Sequence, residues 1–175
     1  SSSSGVSFVA SAGQGLSWFQ SEGYAKLLKE VEKAEGSLPV AVVFNLGVND
    51  MANASNYVSY MTNIASTLKS KNCKLFYMSV NPLNSTMITK AGKGSRTEAQ
   101  VREFNSKIRS GLSANYKYID TYSVLMKTGY GTNASYNGED SVSDDGLHYT
   151  TKTFKRIYYY CVIYLNTGSI DSFYY

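Results

Sequence analysis

The spacing of apolar residues along this chain switches repeatedly between two periods, and each switch marks an element. "VSFVA" (6–10) is a short apolar run with β-branched residues, closed by the small, flexible "SAGQG", and it predicts a strand. In "GYAKLLKEVEKAEG", Tyr24, Leu27, Leu28 and Val31 fall at i, i+3, i+4 and i+7, one face of a helix that Gly36 would stop. "LPVAVVFNLG" (38–47) is almost continuously apolar, as expected for a parallel strand covered on both faces. The helical period returns in "NASNYVSYMTNIASTLKSKN" through Tyr57, Tyr60, Met61, Ile64 and Leu68. "KLFYMSV" (74–80) reads as the next strand, cut by Asn81-Pro82, and the helix after it carries Val101, Phe104, Ile108 and Leu112 on one face. "YKYIDTY" (116–122) reads as a further strand. A long polar loop comes next, and a last helix presents Phe154, Ile157, Cys161 and Leu165.

The predicted order is β-α-β-α-β-α-β-loop-α. Such alternation predicts an α/β fold, a three-layer α/β/α sandwich around a mostly parallel sheet, because each crossover helix must bury its apolar stripe against the sheet. No internal repeat and no linker-like boundary precedes the tail at 167–175, so residues 1–175 read as a single domain. In folds of this class the functional residues collect at the carboxyl ends of the strands.

Composition narrows the class of function. Hydrophobic residues make up 43% and charged residues 17% of the 175 positions, which describes a globular chain and not a disordered one. No apolar run approaches the roughly 18 residues of a membrane helix. The net charge of +4 is spread without a basic stripe, which argues against a nucleic-acid partner. Low charge with abundant Tyr, Ser, Asn and Thr suits an extracellular or cell-surface protein, here of bacterial character. On that reading the Asn-x-Ser/Thr triplets at Asn53, Asn84 and Asn133 are chance. Cys73 and Cys161 read as two small buried hydrophobes and not as a disulfide. With one histidine and no Cys-x-x-Cys pair, no metal site is expected, and "GQG" and "GKG" lack the strand–helix setting of a nucleotide or flavin phosphate loop, so no cofactor is expected.

The single histidine, His148, lies in "SDDGLHYTTKTFKR" (143–156), just before the last helix. A lone histidine is more often structural than catalytic, a glycine-rich turn such as "SAGQG" commonly serves only a tight turn, and "GVND" could simply cap a helix. In combination they suggest more. Acyl transfer needs a general base held by a carboxylate, together with donors aimed at a developing oxyanion. Asp145 stands three residues before His148, a spacing that lets its carboxylate reach Nδ1 and leave Nε2 toward a cleft. Asn49 offers a side-chain NH₂ after the second predicted strand, and Gly15 or Gly13 offers a backbone N–H after the first.

These stretches resemble the SGNH (GDSL) hydrolase superfamily over about residues 6–166. "LGVND" is similar to the family's third block, "DDGLHY" to its fifth, and "FVASAGQGLSW" to its second; "MSVNPL" and "KYIDTYS" also fit bacterial members. The resemblance implies a flavodoxin-like sheet and a serine esterase or acyl hydrolase. In it His148 is the base, Asp145 its orienting partner, Asn49 an oxyanion donor and Gly15, in preference to Gly13, a second, while Asp50 ties the loop together. It also implies a nucleophile in a Gly-Asp-Ser motif upstream of the second block, and this sequence contains none. Nor does it hold a Gly-x-Ser-x-Gly elbow, and Ser1 to Ser4 have no strand to position them. The first strand of the fold and its serine are therefore expected on an upstream segment or a second chain. The expected substrate is a small-molecule or carbohydrate ester, with Tyr130, Tyr136 and Tyr149 as sugar-stacking candidates. The alternative is a catalytically inactive module of the same fold that binds cell-surface glycans.

Overall fold

The computed structural model describes residues 5–34, 36, 38–128, 135–136, 139–140 and 145–170. Three of the apolar runs form a parallel sheet of order β1-β2-β3, from Val40–Phe44 (β1), Cys73–Met78 (β2) and Lys117–Ile119 (β3). Val42 pairs with Leu75 and Phe44 with Tyr77, so all four point to one face. Phe76 and Met78 point to the other. The first face packs against the helices Tyr24–Lys33 (α2), Ala54–Ser70 (α3) and Glu98–Gly111 (α5), and the second against Thr121–Lys127 (α6) and Thr151–Thr167 (α7). There the Phe76 ring meets Tyr164 edge-on, with centroids 6.2 Å apart. The result is the expected three-layer sandwich.

Helix α3 shows why periodicity is a good guide. Its buried residues Ala54, Tyr57, Met61, Ile64, Ala65 and Leu68 recur at helical spacing and leave the opposite face polar. Helix α5 starts from a reciprocal cap, in which Thr97 Oγ1 accepts from the Gln100 N–H and Gln100 Oε1 from the Thr97 N–H. Three tyrosines that enter the core bring a partner for the hydroxyl. Tyr77 donates to the Leu46 carbonyl (3.0 Å), Tyr116 to the Met61 carbonyl (2.7 Å) and Tyr57 to Asp50 Oδ1 (2.6 Å). Cys73 is buried in β2 and Cys161 half-buried in α7; both are free thiols, and burial pushes both pKa values up.

Five expectations are corrected. Residues 6–10 form no strand: no strand of the described residues pairs with them, and Phe8 is 80% exposed, so β propensity without a ladder partner leaves an irregular segment. The next helical stretch begins earlier than its apolar period suggests, at Leu16–Trp18 (α1), and runs through one π-helical stretch, Phe19–Gly23, into α2. The strand expected over 116–122 is only three residues long. Asp120 caps a helix there by accepting the Ser123 N–H at 3.0 Å, so the chain turns directly from β3 into α6, and a further short helix, Ser85–Lys90 (α4), starts from an Asn84 cap. In α7 the buried stripe is Thr153, Ile157, Tyr160 and Ile163, while Phe154 and Leu165 are exposed. Ser135–Tyr136 (β4) and Glu139–Asp140 (β5) pair antiparallel inside the stretch expected to be a polar loop.

At Val80, just beyond β2, a buried side chain takes over from the strand ladder. Asn105 Oδ1 accepts the Val80 N–H (2.9 Å) and its Nδ2 donates to the Val80 carbonyl (2.8 Å), replacing the ladder that β2 no longer provides. Asn105→Ala strands two buried backbone groups and is expected to cost about 2–4 kcal/mol. Denaturant midpoints at an unchanged m-value measure this; a loss under about 1 kcal/mol would mean that water takes the place of the amide.

Candidate active site

Two clusters of the sequence-predicted residues form at the carboxyl ends of the strands. The first is the loop before α7. Asp145 Oδ1 accepts the backbone N–H groups of Leu147 and His148, both at 2.9 Å, while its Oδ2 lies 2.5 Å from His148 Nδ1. One carboxylate thus folds the turn and orients the imidazole, and Nε2 is left facing out. The carboxylate is mostly covered, whereas the His148 side chain is 65% exposed.

Gly146 lets this turn sit close to α4. It has φ +73°, and a Cβ there would lie 2.6 Å from the Asn84 carbonyl, so only glycine fits both the backbone angle and the approach. Its own carbonyl accepts the Asn84 N–H at 2.9 Å. Downstream, the Tyr149 hydroxyl donates to the Pro82 carbonyl (2.8 Å) and its ring packs edge-on to Phe154. Tyr149 thus clamps this loop, with its hydroxyl already committed. Tyr130 and the side chain of Tyr136 lie outside the described residues.

The second cluster lies after β1. Here Asn49 Nδ2 donates to the Gln14 carbonyl (2.8 Å), and Asp50 accepts the Leu16 N–H on Oδ2 (2.9 Å) and the Tyr57 hydroxyl on Oδ1. Burial pushes the Tyr57 phenol well up, and the Asp50 carboxylate beside it adds to the shift. Asp50 thus joins three segments, and Gly15 is the point of closest approach: a Cβ there would lie 2.4 Å from Asp50 Oδ2. Gly13 stands at φ +71° in open space, a turn glycine. Gly13, Gly15, Trp18, Glu22, Asn49 and Asp50 line one open depression of about 380 Å³, which Gln14, Ser17 and Ser21 complete.

The structure therefore brings Asn49, Gly15 and Gly13 together, and separately brings Asp145 and His148 together. His148 is not among the residues that line the depression, and no described hydroxyl is hydrogen-bonded to it. Among the described residues no group of His, Cys, Asp and Glu is arranged to hold a metal ion, and no helix is long and apolar enough to cross a membrane.

One residue at this site is missing from the sequence reading. Arg96, between α4 and α5, donates from Nη2 to Asn49 Oδ1 (3.0 Å), from Nε to the Val48 carbonyl (2.8 Å) and from Nη1 to the Lys93 carbonyl (2.6 Å). A cation in a polar loop, far in sequence from the residue it holds, carries no periodic or motif signal.

Comparisons with known proteins agree with this architecture. The profile of the family described as GDSL-like lipase/acylhydrolase matches residues 2–160. The crystal structure of a lipase/acylhydrolase from Enterococcus faecalis superposes with a TM-score of 0.58 at 17% identity, covering 89% of this chain and 72% of the other. At that identity the likeness speaks for the fold alone. No curated protein sequence matches the chain.

Proposed function

This chain belongs to the GDSL-like lipase/acylhydrolase family, whose members are hydrolases of the esterase type, and from that premise we propose that His148 and Asp145 are the base and its orienting acid in a serine-dependent ester hydrolysis. The reading rests on one observation: Asp145 commits one oxygen to the turn and the other to Nδ1, so that Nε2 is held outward as a proton acceptor. In this mechanism a serine Oγ attacks the ester carbonyl carbon while Nε2 takes its proton. The carbonyl oxygen becomes an oxyanion, with the Asn49 Nδ2–H and the Gly15 N–H as donors. Collapse of the tetrahedral intermediate expels the alcohol, which receives the proton from His148. Water then attacks the acyl-serine by the same route in reverse.

The nucleophile is proposed to come from a Gly-Asp-Ser segment outside residues 1–175, upstream or on a second chain. Among the described residues β1 pairs only with β2, so its outer edge has ladder groups for one more strand. A small-molecule or carbohydrate ester is the proposed substrate, and the cell surface or its exterior the proposed location.

The test is intact mass and N-terminal sequencing of the folded protein, followed by a p-nitrophenyl acetate assay and labelling with a fluorophosphonate. The expected result is turnover, with the label on a serine of a Gly-Asp-Ser segment and no labelling in His148→Ala. A folded protein that neither turns over nor labels would favour the glycan-binding module instead.

A further inference from the structure

We infer that Arg96 is a positioning residue that selects the orientation of the Asn49 amide and polarises it; the inference rests on the reading of Asn49 as an oxyanion donor. A carboxamide has two nearly isosteric orientations, and only one turns its NH₂ toward the depression. A guanidinium can only donate, and a backbone carbonyl can only accept. With Oδ1 on Arg96 Nη2 (3.0 Å) and Nδ2 on the Gln14 carbonyl (2.8 Å), both contacts are complementary. Rotation by 180° would set donor against donor at Arg96 and acceptor against acceptor at Gln14. The flipped amide therefore loses two hydrogen bonds at once.

Arg96 is itself held in place. Its Nε and Nη1 are bound to the carbonyls of Val48 and Lys93, so the fork that meets Asn49 is anchored to both flanking segments. No carboxylate of the described residues pairs with this guanidinium. Its charge is thus felt by the amide: drawing density to Oδ1 makes the N–H groups of Nδ2 stronger donors. The Gln14 carbonyl takes one of the two Nδ2 protons, and the second remains for an oxyanion. Lysine carries its three donors on one nitrogen and lacks the planar fork that meets Val48 through Nε and Asn49 through Nη2.

The test combines NMR with kinetics on Arg96→Ala and Arg96→Lys. The side-chain NH₂ resonances of Asn49 are assigned by their absence in Asn49→Ala. In Arg96→Ala the two protons are expected to converge in shift and exchange faster, with backbone amides of α3 and β2 unmoved; Arg96→Lys should be intermediate. Turnover of p-nitrophenyl acetate should lose roughly ten- to a hundredfold in kcat, as when a residue that orients a reacting group is removed, with KM little changed. In the Asn49→Ala background the same change should add nothing. Unmoved Asn49 resonances, or a kcat loss that adds in full to that of Asn49→Ala, would overturn the inference, because Arg96 would then be tying loops together and no more. If Asn49→Ala itself leaves kcat unchanged, the oxyanion reading has failed, and the resonances alone decide whether Arg96 positions the amide.

Discussion

Replacing His148 by alanine is expected to lower kcat on p-nitrophenyl acetate by about 10⁴-fold or more, with KM and thermal stability nearly unchanged. The size follows from the role: without a base the serine must attack as a neutral alcohol, and the alcohol must leave without a proton. The silence of stability follows from the structure. The imidazole is 65% exposed and its one hydrogen bond to another side chain is to Asp145, so its removal opens no cavity. Asp145→Asn should come close to the same loss in kcat, since the amide can present a donor to Nδ1 and favour the wrong tautomer. Asp145→Ala should in addition loosen the turn, because the carboxylate also holds the N–H groups of Leu147 and His148. A His148→Ala variant that keeps a tenth of wild-type turnover would remove His148 from the mechanism.

Asn49→Ala is expected to cost about 10²–10³ in kcat, the usual loss for one oxyanion donor. Alanine also leaves the Gln14 carbonyl and one nitrogen of Arg96 without their partner, so a second variant separates chemistry from loop structure. Asn49→Asp keeps an oxygen for Arg96 and removes every proton from the position that faces the depression. It should lose at least as much kcat while the contact with Arg96 is preserved or strengthened. Full activity in Asn49→Asp would exclude donation from this side chain and leave the backbone N–H of Gly15 as the donor to examine.

How much of this was legible in the chain depends on how local the cause was. Residues 40–44, 54–70, 73–78, 98–111 and 151–167 form the kinds of element their apolar spacing predicts, because each buries a stripe that its own sequence defines. The turn of Asp145 and His148 is likewise local, two side chains three residues apart. Residues 6–10 failed because a strand is made by its neighbour. The helix α6 was missed because Asp120, read as part of a strand, is a cap whose hydrogen bond reaches forward three residues. The face of α7 was misplaced by weighing hydrophobic side chains alone: Tyr160 and Thr153 are buried where Phe154 and Leu165 were expected. Arg96 and Asn105 lay beyond reach altogether, since each acts on residues that only the fold brings near.

The two cysteines turn this architecture into a clock. Cys73 lies in β2 within the core that packs under α2, α3 and α5, and Cys161 lies in α7 on the opposite layer. Cys73 is buried and Cys161 half-buried, and burial pushes both thiols up, so alkylation of Cys73 must wait for its layer to breathe while Cys161 is the readier of the two. Peptide-resolved labelling rates therefore time the opening of the layer that leads to Asn49 at Cys73, with the half-buried Cys161 as the reference on the side that leads to His148.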